Sequence, residues 1–188
     1  MFSNFEEIGD EIYVYKNFLS EEECSLIVNS LDNFSKEDWE INRFNDLQTI
    51  QNVKELNLVY EKLNSILPDH LFLAGKQLTA FIMQKYKTWP EHYDSDYLQS
   101  TKKSMLSYKE GMEYVEKNYC VYGSIVYLND FEGGEIYYPN QNIEYHPNKG
   151  DLVIHSSEAK CLHGVKMVKS SKRYTYANLI YTKVKVPV

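Results

Sequence analysis

The apolar positions of this chain change their period once. Cys24, Ile27, Val28, Leu31 and Phe34 recur at helical spacing behind Ser20 and Glu23, a capping-box pair, and predict an amphipathic helix from about residue 20 to about residue 34. Val53, Leu56, Val59, Tyr60, Leu63, Ile66 and Leu67 form a second stripe, which Pro68 ends. From Leu78 onward short β-branched and aromatic runs take over, at 78–86, 122–129, 135–138, 151–155, 162–168 and 173–184. Gly133-Gly134, Pro139-Asn140, the turn 147–150 and Ser170-Ser171 punctuate them. The pattern predicts a mainly β, α+β domain over 1–188, with a helical support region at 1–77 and a β core at 78–184. The polar stretch 95–120 fits neither period and reads as a long loop, either a lid or a disordered insertion.

Composition narrows the class. The chain has 188 residues, 43% of them hydrophobic, which is enough to bury a core without a disulfide framework. Cys24, Cys120 and Cys161 are an odd, scattered set, which argues against both a disulfide scaffold and a zinc–thiolate site. An acidic N-terminus and the lack of a long apolar run lead us to expect a cytoplasmic protein without a membrane span. Net charge is −7, with −9 in residues 1–94 and +2 in residues 95–188, a field that works against nucleic acid as a partner. Only Arg43 and Arg173 are arginines, so each raises the question of planar, bidentate chemistry.

Candidate chemistry begins at His92-Tyr93-Asp94. In an extended segment residues i and i+2 share a face, so the His92 imidazole and the Asp94 carboxylate can point at one spot. His163, 71 residues on, starts another candidate strand and supplies a third ligand. Two histidines and one carboxylate leave three positions of a metal open, the arrangement of non-haem Fe(II) oxygenases. Arg173 follows His163 by ten residues, and on a strand Arg173 and Thr175 face the same way, able to grip one carboxylate together.

Three blocks are similar to the Fe(II)/2-oxoglutarate-dependent dioxygenases, in their prolyl 4-hydroxylase-like branch. They are His92-Tyr93-Asp94, the run 127–135, and His163-Gly164-Val165 with Arg173-Tyr174-Thr175. The run 147–154 resembles the turn and strand that precede the family's distal histidine. The resemblance implies a double-stranded β-helix (jelly roll) with the N-terminal helices packed on one sheet. It implies iron on His92, Asp94 and His163, and 2-oxoglutarate held at its far carboxylate by Arg173. Tyr127 matches a tyrosine that assists the arginine, Thr175 a hydroxyl two residues after the basic residue, and Tyr86 a tyrosine near the other end of the cosubstrate. Ascorbate is a further cofactor that the resemblance implies.

Two assignments compete within this frame. His155, where the family tends to have an aromatic residue, is an alternative third ligand, and Lys172 is an alternative anchor. The spacing to Arg173 favours His163. Alternation favours Arg173, because Arg173, Thr175, Ala177 and Leu179 form the smaller-residue face. Trp89 and Tyr93 flank the ligands and have the best claim to touch substrate, whereas His70 and His146 have no partner in sequence and read as surface residues. The implied activity is hydroxylation of a C–H bond with O2, releasing succinate and CO2, with a prolyl residue of a peptide or protein as the expected substrate. The alternatives are a hydroxylase of a free amino acid or other small molecule, a nucleic-acid demethylase of the same superfamily, and a non-catalytic β-barrel binding module.

Overall fold

The computed structural model describes residues 5–35, 38–41, 47–73, 75–94, 119–170 and 172–182. The greater part of the expected loop, residues 95–118, lies outside the described residues. The chain runs β1 (Glu6–Gly9), β2 (Ile12–Tyr15), α1 (Glu21–Asp32), β3 (Glu40–Ile41), β4 (Leu47–Ile50), α2 (Leu56–Ile66), β5 (Leu71–Leu73), β6 (Ala80–Gln84) and β7 (Trp89–His92). It continues through β8 (Tyr119–Tyr127), β9 (Ile136–Tyr138), β10 (Ile143–Tyr145), β11 (Leu152–Ser156), β12 (His163–Val165) and β13 (Lys172–Thr182).

Two antiparallel sheets face each other as a jelly roll. The large one has the order β1-β2-β11-β8-β13-β6-β4-β3, with β5 also paired to β13, and the small one has the order β10-β9-β12-β7. The centre of the large sheet is the 11-residue β13, which pairs with β8 from Thr175 opposite Tyr127 to Thr182 opposite Tyr119. Alternation along these strands sorts side chains onto two faces. Ile82, Val126, Leu152, Ile154, Tyr174 and Tyr176 form the outer face and pack in one core with both helices.

Both expected helices are present, for different reasons. In α1 the Ser20 hydroxyl accepts from Glu23 N while Glu23 accepts from Ser20 N at 2.7 Å, closing the capping box. It buries Cys24, Ile27 and Leu31. In α2 no side chain caps the first turn, and the helix is held by burying Leu56, Val59 and Leu63. It ends where Leu67, preceding Pro68, turns extended.

The six expected strands are present with shifted ends, and residues 183 and 184 of the last lie outside the described residues. The region 1–77 departs from its expectation as a helical support. It also supplies β1 to β5, with β2 pairing β11, β4 pairing β6 and β5 pairing β13. These strands are two to four residues long, too short to display a period. The Trp89-Pro90 step begins β7 at the edge of the small sheet, where a proline leaves no ladder bond unmade. Among the described residues no helix is long and apolar enough to cross a membrane. Cys24, Cys120 and Cys161 are all free thiols.

Candidate active site

The two sheets bring His92, Asp94 and His163 together. His163 on β12 lies directly opposite His92 on β7, and the ring centroids are 4.4 Å apart. Asp94 follows two residues after the end of β7. One ligand atom from each of the three residues falls within 4.8 Å of the others, a spacing that suits a single divalent cation. The side chains are also turned for the task. His92 Nδ1 donates to the Pro90 carbonyl at 2.9 Å, and His163 Nδ1 donates to the Cys161 carbonyl at 3.0 Å. Each ring is therefore tied through Nδ1 to the carbonyl two residues earlier, which leaves the Nε2 lone pair for a metal.

Electrostatics agree with that division of labour. Burial, helped by the neighbouring His155, pushes the His163 imidazole down to about 3 against the opposing pull of Asp94, so it is neutral at pH 7. Burial would raise the Asp94 carboxyl, but the hydrogen bond from His155 and the surrounding imidazoles outweigh it and bring it to about 2. A carboxylate and two imidazoles are the donor set that a divalent iron accepts while keeping open positions.

His155 differs from His92 and His163 in its hydrogen bonds. Its Nε2 lies 3.1 Å from Asp94 Oδ2 and its Nδ1 lies 2.9 Å from the Tyr138 hydroxyl, so both ring nitrogens are already committed. Gly123, opposite His155 on β8, makes room for this contact: a Cβ there would stand 1.8 Å from Asp94 Oδ2. Sequence reasoning did not single out Gly123 or Tyr138. An isolated glycine inside an apolar strand pattern was the available signal for the first.

Arg173 sits on the same inner face, farther along. Its side chain is buried at 4% exposure, with the guanidinium carbon 5.0 Å from the Tyr127 ring centroid and 5.4 Å from that of Phe131. Aromatic rings therefore cover the guanidinium plane, while Nε, Nη2 and the Tyr127 hydroxyl are buried without a hydrogen-bond partner. Unpaired buried donors on a charged group cost several kcal/mol, and an in-plane pair of N–H groups matches a carboxylate. Thr175 is buried beside them, opposite Tyr127 in the ladder. Gly133 and Gly134 have φ of +66° and +64°, and Gly134 packs against the Arg173 stem, where a Cβ would come within 3.1 Å of Cδ. On β8, Gly123 at the carboxylate–imidazole end and Tyr127 at the guanidinium end are four residues apart on one face, about 13 Å of strand.

Other candidates fall elsewhere. Lys172 points to the outer face, where its Nζ meets Asp32 at 3.0 Å and the Tyr174 hydroxyl at 2.8 Å. Tyr86 is not brought to the site. It is 68% exposed in a left-handed turn (φ 67°) with Lys85 over its ring, because β6 stops at Gln84 and the even positions of that strand face away from Met83 and Arg173. Trp89 stands edge-on to His92 at 6.1 Å and packs on Met83, Val165 and Val168. His146, expected to be unpartnered, lies 3.4 Å from Glu135 and against Phe131, while His70 is exposed.

No protein-family model matches the sequence, and a search of curated proteins gives no match. Solved structures do match. A viral collagen prolyl hydroxylase from Paramecium Bursaria Chlorella virus-1, in complex with 2OG, superposes with a TM-score of 0.61 at 19% identity over 94% of this chain and 98% of that one. A 2OG-Fe(II) oxygenase family oxidoreductase from Burkholderia pseudomallei gives 0.60 at 12% identity over 93% and 85%. A prolyl hydroxylase from Trichoplax adhaerens, in complex with a hypoxia inducible factor peptide fragment, gives 0.60 at 15% identity over 92% and 84%. The chain is thus similar in fold to 2OG-Fe(II) oxygenases, with the jelly-roll architecture of these neighbours.

Proposed function

We propose that this chain is an Fe(II)- and 2-oxoglutarate-dependent dioxygenase that hydroxylates a prolyl residue of a peptide or protein. The observation that carries the reading is a buried guanidinium with two unpaired N–H groups on the sheet face that also meets the His92, Asp94 and His163 cluster. A ligand with a chelating group at one end and a carboxylate at the other satisfies both ends of the site, and 2-oxoglutarate is such a ligand.

His92, Asp94 and His163 would hold the iron, and Arg173 with Tyr127 and Thr175 would hold the far carboxylate. Iron with 2-oxoglutarate and O2 supplies the oxidising power, converting a substrate C–H to C–OH while the cosubstrate becomes succinate and CO2. The protein's own contribution is position and exclusion of water. The backbone carbonyls of Pro90 and Cys161 hold the two imidazoles in the ligating tautomer. Tyr127 and Phe131 keep water from the guanidinium faces, so that a carboxylate in its plane meets little competition. Two structural neighbours, both prolyl hydroxylases, support a prolyl substrate, and the net charge of −7 counts against nucleic acid.

The test is incubation with Fe(II), 2-oxoglutarate, ascorbate, O2 and proline-rich peptides, read by succinate and by peptide mass. A gain of one oxygen on a prolyl residue, matched by succinate, is the expected result. Succinate with a hydroxylated free amino acid and an unchanged peptide would move the substrate class. No succinate with any of these substrates would contradict the enzymatic reading.

A further inference from the structure

His155 is a buried histidine that the proposed iron and cosubstrate contacts leave unused. It lies on the inner face of β11 at 1% exposure, between Asp94 and Tyr138, whose side chain is fully buried. Hydrogen-bond chemistry fixes the direction at the carboxylate end. An ionised carboxylate only accepts, so His155 Nε2 carries the proton there, while Nδ1 is held by the Tyr138 hydroxyl at 2.9 Å. Burial holds that hydroxyl in its protonated form, well above the usual tyrosine range. Tyr138 is thus bonded to one side of the His155 ring, and the other side donates to Asp94 Oδ2. His92 and His163 instead donate from Nδ1 to backbone carbonyls, although the His155 and His163 rings are only 4.1 Å apart.

The backbone enforces the same arrangement. Gly123, paired opposite His155, lets Asp94 Oδ2 press where any Cβ would clash, and that Cβ would also stand 2.8 Å from His155 Nε2. With Oδ2 wedged against a strand and bonded to an imidazole, Oδ1 alone is presented to a cation. A carboxylate that turned to offer both oxygens would occupy one more position on an octahedral metal.

We propose that His155, oriented by Tyr138, is a positioning residue that holds Asp94 to one-oxygen coordination and so preserves an open position on the metal. This rests on the metal-centre reading given above. Mn(II) alone is the probe, with affinity measured by electron paramagnetic resonance and metal-bound water by proton relaxation. His155→Phe removes the donor and should weaken Mn(II) binding by about 10–100-fold, the usual cost of losing an outer-shell partner, with one coordinated water fewer on the metal. His155→Gln, whose amide can donate from the Nε2 position, should restore most of that affinity, an outcome that a merely space-filling role would not give. Tyr138→Phe loses one oxygen and keeps the ring, so it carries the test if His155→Phe does not fold; it should weaken binding severalfold. Unchanged affinity and hydration in whichever of these variants fold, or a His155→Gln protein no better than His155→Phe, would overturn the role of His155. A wild-type protein that binds no Mn(II) would instead overturn the metal centre itself.

Discussion

Lys172 and Arg173 are neighbours on one strand, yet they stand in opposite environments. On the outer face of the large sheet Lys172 is paired with Asp32 and Tyr174, and Tyr174 also donates to Asp32 at 2.6 Å, so the cation belongs to a network joining α1 to β13. On the inner face Arg173 is more deeply buried and less satisfied, with Nε and Nη2 unpaired among aromatic rings. The first arrangement is what structure alone requires of a cation: partial exposure and local partners. The second makes physical sense when a partner from outside the chain completes it. Strand alternation is therefore a functional divide in this molecule, with the outer face packing helices and the inner face carrying every residue assigned to chemistry on β8, β11 and β13.

That contrast can be broken on the inner face first. Replacing His92, Asp94 or His163 by Ala should abolish succinate formation and lower divalent-metal affinity by more than a hundredfold, since two ligands remain; retained activity in His163→Ala would move the distal ligand. Arg173→Ala should weaken 2-oxoglutarate binding by tenfold or more, within the roughly 2–5 kcal/mol expected for truncating one side of a buried charge pair, while metal binding survives. Lys172→Ala in the same titration should leave 2-oxoglutarate affinity unchanged, and the reverse pair of results would exchange the two faces. Gly123→Ala forces a methyl group into the Asp94 carboxylate and should cost about 1–3 kcal/mol of stability in the apo-protein, measured by denaturant unfolding, together with weaker metal binding.

The smallest effect belongs to the outer face. The Asp32 carboxyl lies below its usual range, chiefly through the Tyr174 hydroxyl and then Lys172, against the opposing cost of burial. A carboxyl lowered in the folded state stabilises above its unfolded pKa of about 3.9, and that stabilisation fades as pH falls through the folded value. Asp32→Asn should therefore cost no more than about 1 kcal/mol near neutrality, since the pair is half exposed and screened by salt, and should cost nothing at the acid end. Unfolding curves at pH 7 and below pH 3 would show the difference closing.

Much of the inner face was legible in the sequence because alternation is local. His92 and Asp94 lie two residues apart on extended backbone, and Arg173 and Thr175 do likewise, so each pair shares a face wherever its strand goes. The choice of His163 over His155 rested on spacing and resemblance; in the structure both nitrogens of His155 are already bonded, which supports that choice without testing it. That reason could not be read from sequence, because it depends on β11 pairing β8 with His155 opposite Gly123, a long-range register. Tyr86 shows the converse error. A likeness placed it at the cosubstrate, whereas in the structure Met83 opposite Arg173 takes the inner face and the strand stops at Gln84, before Tyr86. The strands of residues 6–15 and 89–92 escaped notice because the first pair is too brief for a period and the second contains Pro90.

The central claim is that one inner face holds both a metal chelate and a carboxylate anchor for the same small molecule. Anaerobic addition of 2-oxoglutarate to the Fe(II)-loaded wild-type protein tests it most directly, by visible absorption. The weak charge-transfer band of a chelated keto acid should appear, absent in His163→Ala and shifted to at least tenfold higher 2-oxoglutarate concentration in Arg173→Ala. A wild-type protein that binds Fe(II) yet develops no band, or a band whose concentration dependence ignores Arg173, would contradict it.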